Sequence, residues 1–172
     1  FKHTWGPEYC TDNLAAYDFM YTNIWEEPFE INEATTVLHV HFTFKPLMAR
    51  IKISLGLGAN ETPKKVILET DSNVMPTAGT IDALGNFTAS SATNSIAVPT
   101  NRKEFVLGLL PVDILSTMTV KVMTTDGLTY SDKSFTLAGL KRNHHYTMSV
   151  PCNKKTVTIT VPDAIDQKYG TH

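Results

Sequence analysis

The segment Thr35 to Leu57, TTVLHVHFTFKPLMARIKISLGL, limits what this chain can fold into more than any other stretch. In its first half Leu38, Val40, Phe42 and Phe44 alternate with Val37, His39, His41, Thr43 and Lys45. In its second half Ile51, Ile53, Leu55 and Leu57 alternate with Arg50, Lys52, Ser54 and Gly56. A period of two held this long puts one row of side chains in a core and the other in water, which is the pattern of half-buried β-strands and not of a helix. The expectation is a pair of strands with a bend at Pro46, because proline cannot donate to a ladder.

The rest of the chain continues in the same way. Lys64 to Glu69 (KKVILE) reads as a strand after the breaker Asn60-Glu61-Thr62-Pro63. A softer region from Thr70 to Thr100 holds strand candidates at Gly79 to Ile81, Asn86 to Ala89 and Ser95 to Val98. Glu104 to Leu110 (EFVLGLL), closed by Pro111, fits a fully buried strand. Thr117 to Thr124 and Leu128 to Phe135 read as a hairpin around Asp126-Gly127, a dipeptide that tolerates positive φ. His144 to Val150 and Thr156 to Val161 supply two last strands. Helix signals are sparse. Asp12 to Asp18 fits one turn capped by Asp12, or runs directly into an extended stretch from Phe19 to Ile24, and Pro162 to Gln167 fits another short turn. Strands at about 8–12 residue spacing predict an all-β chain, a β-sandwich of roughly seven to nine strands. Residues 1–34 are expected to be an extended or irregular lead-in packed on the sandwich. Residues 35–161 form the sandwich domain, and 162–172 a tail or the start of a linker to a second domain.

Composition removes several function classes. With 42% hydrophobic and 19% charged residues, the 172-residue chain is too apolar for disorder and long enough for a real core. A net charge of −2 without a basic stripe, with Lys64-Lys65 and Lys154-Lys155 as short pairs only, argues against nucleic acid. No apolar run approaches the roughly 18 residues of a membrane-spanning helix. The chain starts at Phe1 without a signal-like region, so it is expected to be processed or trimmed, with any export signal or lipid anchor outside it. Cys10 and Cys152 are either two separate buried thiols or a disulfide closing roughly 140 residues, which would contribute about 5 kcal/mol on the chain-entropy account.

Nothing in the sequence assembles a catalytic, cofactor or metal site. There is no G-x-S-x-G elbow, no H-E-x-x-H and no phosphate-cradling glycine loop. Glu26-Glu27 and Asp163/Asp166 read as solvated charges and not as a paired acid and base. His39 and His41 share a face, where two imidazoles could meet one metal, but further ligands at suitable spacing are missing, so they read as surface residues. His144 and His145 are adjacent, which a strand would split between opposite faces. Trp5, Tyr9, Tyr17, Phe19, Tyr21, Trp25 and Phe29 crowd the first thirty residues; they fit packing in a core, an anchor row on a neighbouring domain, or stacking on sugar rings. Asn60-Glu61-Thr62 and Asn86-Phe87-Thr88 match the N-glycosylation pattern and are read as turn residues.

Taken in order, several motifs resemble the fimbrillin-like family of outer-membrane pilus subunits and adhesins. The run Phe42-Thr43-Phe44-Lys45-Pro46-Leu47-Met48-Ala49-Arg50-Ile51-Lys52-Ile53-Ser54-Leu55 is similar to that family's apolar-x-Phe-x-His-x-x-Ala-Lys/Arg-Ile-x-Ile-x-Leu segment. Tyr17-Asp18-Phe19-Met20-Tyr21 resembles its upstream Asp-apolar-apolar-Tyr stretch, and Leu107 to Pro111 its apolar run ending in Pro. Thr136 to Leu140 followed by Tyr146 to Val150 resembles its closing pattern. Where the family has His, this chain has Pro46, so no role of that His carries over. The resemblance implies a non-enzymatic pilus subunit or pilus-associated adhesin without a cofactor, built as a transthyretin-like, Greek-key sandwich. It implies export as a lipoprotein to the outer membrane or pilus, and partners in other pilus subunits through β-strand donation and in a host protein or glycan receptor. Contact with a membrane would run only through a lipid anchor outside this chain. The alternative is a secreted or surface-anchored carbohydrate-binding β-sandwich, with Trp5 or Trp25 exposed beside a second aromatic.

Overall fold

The alternation along Ala49–Leu55 sets the centre of the fold: Ile51 and Ile53 are fully buried while Lys52 between them is exposed. The computed structural model describes residues 2–4, 6, 14, 20–22, 42–82, 85–113, 117–136 and 138–153. The elements over these residues are all strands: β1 (Lys2–Thr4), β2 (Met20–Tyr21), β3 (Lys45–Pro46), β4 (Ala49–Leu55), β5 (Pro63–Thr70), β6 (Met75–Ile81), β7 (Phe87–Thr93), β8 (Ser95–Pro99), β9 (Glu104–Leu109), β10 (Thr117–Thr124), β11 (Thr129–Thr136) and β12 (His145–Val150). Nine of them have five residues or more, and three are stubs of two or three, so the twelve exceed the expected count only through short pieces.

Two sheets close on one core. The first has the order β12-β4-β9 and the second β11-β10-β5-β8. Ile51 and Ile53 of β4, Leu107 of β9 and Met148 of β12 meet Val66 and Leu68 of β5, Val98 of β8 and Val120 of β10 in a single apolar cluster. Removing each such side chain from water contributes about 1.5–3 kcal/mol, which is why the period of two reads so clearly in β4 and β10. All pairings are antiparallel except β12 on β4, which is parallel and places Tyr146 beside Ile51 and Met148 beside Ile53. The β10–β11 turn is closed by Gly127 at φ 86° and by the Thr124 hydroxyl, which accepts the Leu128 N–H at 3.0 Å and donates to the Asp126 carboxylate.

The soft region forms one bent ribbon. Chain runs out along β5 and β6 and back along β7 and β8, with the bend held by the Thr70 N–H on the Asn94 carbonyl at 2.8 Å. Beyond the bend, β6 takes β1 on its other edge, giving a third sheet, β1-β6-β7. The ribbon tip folds back at Asp82 to Asn86.

One expectation fails at Phe42 to Phe44. These residues carry no strand, and both rings are exposed, at 59% and 57%, packing against each other with centroids 6.4 Å apart. The expected partner strand was β4, but both of its edges are filled, by β9 and β12. Pro46 confines pairing here to two residues, with β3 on β2. The strand expected at Thr156 to Val161, the turn at 162–167 and the row Val37 to His41 lie outside the described residues, as does the turn at 12–18 apart from Leu14, which is helical and buried against Met48.

Candidate functional site

An open groove of about 610 Å³ lies where the ribbon tip meets the turn before β12. That turn is positioned by two backbone links. Val112 and Leu140 exchange N–H···O bonds of 2.9 and 2.8 Å, and the Asn143 N–H donates to the Met48 carbonyl at 3.2 Å. Asn143 takes φ 57°, a left-handed conformation that Asn tolerates better than most side chains, and the chain reverses so that Lys141, Arg142, Asn143 and His144 all line the groove. Across from them stand Lys45 of β3, Tyr21 of β2 and the tip residues Asn86 and Phe87, over an apolar wall of Pro111, Val112 and Leu140.

Arg142 ties the two sides together. Its guanidinium sits 4.9 Å above the centroid of the Tyr21 ring and donates to the Gly85 carbonyl. Tyr21 itself is buried with Leu47, Ile81 and Leu110. Gly85 has φ 81°, and a Cβ there would stand 2.6 Å from the Tyr21 ring, so only glycine allows both the turn and the contact. His144 Nδ1 lies 2.9 Å from the Arg142 carbonyl; a carbonyl can only accept, so the proton is on Nδ1 and Nε2 is left for solvent or a ligand. The His144 and Tyr146 rings stack, with centroids 6.4 Å apart. Lys45, Lys141 and Arg142 therefore put three positive charges on a groove in which Asp113 is the one acidic lining residue among the described residues.

A second cluster lies at the opposite end of β4. Glu61 is buried; its carboxylate accepts the Gly58 N–H at 2.9 Å and the Tyr130 hydroxyl at 2.8 Å. Burial, then the hydrogen bond to Glu61 and its charge, push the Tyr130 phenol up to about 12. Burial first, and then the Glu61 charge, also push the Cys152 thiol above its ordinary range. The Cys152 thiol is unpaired and reaches the Val150 carbonyl at 3.7 Å. The chemistry here is structural: the carboxylate pins the turn after β4 to β11, and a cold thiol packs beneath it. Because the folded Tyr130 keeps its proton to higher pH than the unfolded tyrosine, its contribution to stability is complete below about pH 10 and is lost as pH rises toward 12. Glu61→Gln is expected to bring the Tyr130 titration part of the way back toward 10, because burial stays while the charge goes; absorbance titration of tyrosinate reads this directly. An unchanged titration would remove Glu61 as a cause.

The third feature is the outer edge of β12. The Arg50 N–H donates to the His144 carbonyl at 2.9 Å and the Gly56 N–H to the Val150 carbonyl at 2.8 Å. With a period of two, His144, Tyr146, Met148 and Val150 turn their peptide groups to β4, whereas His145, Thr147 and Ser149 turn theirs away. Thr147 and Ser149 are exposed, and among the described residues β12 has β4 as its only strand neighbour.

Few residues singled out in the sequence meet in one place. Tyr21 packs in a core, and it alone of the aromatic lead-in is described; Trp5, Tyr9, Tyr17, Phe19, Trp25 and Phe29 lie outside the described residues, as do Cys10, His39, His41, Glu26, Glu27, Asp163 and Asp166. His144 and His145 are both exposed, and no group of three or more metal-ligating side chains occurs among the described residues. Asn60 and Asn86 are exposed turn residues, the latter donating to Asp82 at 2.9 Å. Sequence reasoning missed Arg142 and Glu61. Arg142 carried no local signal, and the partner of Glu61 is 69 residues away.

Comparison with known proteins agrees with this architecture. The fimbrillin-like family profile matches residues 3–169, and the chain belongs to that family. In fold it is similar to a candidate cell adhesion protein from Bacteroides ovatus, with a TM-score of 0.62 and 20% identity over 88% of this chain and 54% of that one. A candidate cell adhesion protein from Bacteroides uniformis gives a TM-score of 0.53 and 15% identity over 67% of this chain and 49% of that one. The chain thus spans about half the length of these solved structures. No curated protein sequence matches it.

Proposed function

We propose that this protein is a non-enzymatic cell-surface structural and adhesion protein, a fimbrial subunit or pilus-associated adhesin that assembles by strand donation. The observation that carries the reading is membership of the fimbrillin-like family over residues 3–169. The names of the fold neighbours from Bacteroides ovatus and Bacteroides uniformis, both candidate cell adhesion proteins, support it. Residence at the outer membrane or on a pilus, export as a lipoprotein, and a host protein or glycan receptor belong to the same proposal.

The edge of β12, which has no second strand neighbour among the described residues, supports this reading. The amides of Thr147 and Ser149 face away from β4, so an extended segment of a neighbouring subunit can add to β12 through main-chain hydrogen bonds. Thr147→Pro tests this selectively. Proline there removes an outward N–H and leaves the Tyr146 and Met148 bonds to β4 in place. Polymer formation, followed by sedimentation and electron microscopy, is expected to fall at least about tenfold in this variant while the monomer keeps its fold by circular dichroism. Undiminished polymerisation by a folded Thr147→Pro subunit would place assembly elsewhere.

A further inference from the structure

We infer that the groove between the ribbon tip and the Lys141–His144 turn binds an acidic saccharide, with Arg142, Lys141 and Lys45 holding its carboxylate. The inference rests on the adhesion part of the proposed function and not on strand donation. Its first support is charge. Three lysines elsewhere are matched: Lys52 pairs with Glu104 at 3.5 Å, Lys121 with Glu69 at 2.5 Å, and Lys103 donates to the Gly58 and Ala59 carbonyls. In the groove, Lys45, Lys141 and Arg142 make no ion pair among the described residues, although the chain as a whole carries a net charge of −2. Arg142 is held in place by the Tyr21 ring and the Gly85 carbonyl, so its remaining N–H donors are oriented before a ligand arrives. A planar fork fixed in this way suits a carboxylate better than a freely moving ammonium does.

The second support separates a sugar from an acidic peptide. Asp113 and Asn143 share the same groove. A peptide with repeated Glu or Asp would set negative charge against Asp113. A saccharide instead brings one carboxylate for the cations and several hydroxyls, which donate to Asp113 and exchange hydrogen bonds with Asn143. The half-buried Pro111 and Val112 offer an apolar wall to the C–H face of a sugar ring. The groove volume of about 610 Å³ also lies within the usual range of small-ligand sites.

The test uses the whole chain with sialyllactose, tri-galacturonate, lactose and a poly-glutamate peptide as probes in titration calorimetry and heteronuclear NMR. Binding of either acidic saccharide at least about tenfold tighter than lactose is expected, weakening as salt is raised; which of the two binds identifies the source of the carboxylate. Arg142→Lys and the double variant Lys45→Ser with Lys141→Ser are each expected to lose at least about tenfold in affinity. The double variant alters exposed side chains, so it keeps the fold even if Arg142 variants do not. Equal binding of lactose, preference for poly-glutamate, acidic-saccharide binding unchanged in the double variant, or binding of none of the probes would each overturn the inference. Polymerisation of the double variant is measured alongside. An unaltered chain that polymerises normally but binds none of the probes sinks the groove assignment alone, whereas loss of polymerisation in Thr147→Pro with saccharide binding intact speaks only to assembly.

Discussion

Ile53→Ala is expected to destabilise the protein by about 2–5 kcal/mol, a large part of the about 5–15 kcal/mol that holds a domain of this size together. Ile53 is fully buried at the middle of β4, the central strand of its sheet, with Phe105 opposite it on β9 and Met148 opposite on β12. No neighbour can move in to fill the space, because strands on both sides are fixed by their ladders. One residue away, Lys52→Ala removes an ion pair to Glu104 whose side chains are 53% and 65% exposed, an interaction worth about 0–1 kcal/mol. Denaturant unfolding of the two variants measures the contrast. Similar losses from both would mean that Ile53 does not face the core between the two sheets.

Gly85→Ala carries the second large effect. The left-handed backbone at φ 81° costs an alanine about 1–2 kcal/mol. The new Cβ would also stand 2.6 and 2.7 Å from two Tyr21 ring carbons, so that buried ring must shift and take the Arg142 guanidinium with it. The sum is expected to reach about 2–4 kcal/mol, from backbone strain and overpacking together. Gly127→Ala is the matched control. Its φ is 86°, but nothing lies within 4 Å of the added Cβ, so it shows the backbone cost alone. Thermal unfolding of both, with the chemical shifts of Tyr21 as a local reporter, separates the two contributions.

Much of the fold was legible because burial and alternation coincide. Ile51/Ile53 in β4, Met118/Val120/Val122 in β10 and the Asp126-Gly127 turn all stand where the period of two placed them. Phe42 and Phe44 show the limit of that reasoning. Their alternation is as clean as that of β4, yet an alternating row becomes a strand only when a sheet edge is open to it, and β9 and β12 already fill both edges of β4. The parallel β12–β4 pairing is a long-range choice between edges, which local pattern does not encode. The groove was illegible for the same reason. Tyr21, Lys45, Gly85 and Arg142 come from four separate stretches, and no local pattern joins them. The family resemblance reached further than any single feature, since the ordered set of weak motifs from residue 17 to 150 falls within the matched span 3–169.

Hydrogen exchange on β12, compared between the isolated subunit and its polymer, tests assembly by strand addition most directly. In the subunit the Met148 and Val150 amides, turned to β4, are expected to exchange slowly and the Thr147 and Ser149 amides quickly. In the polymer all four are expected to be slow. Thr147 and Ser149 amides that exchange as fast in the polymer as in the subunit, or that are already protected in the subunit, would contradict the account.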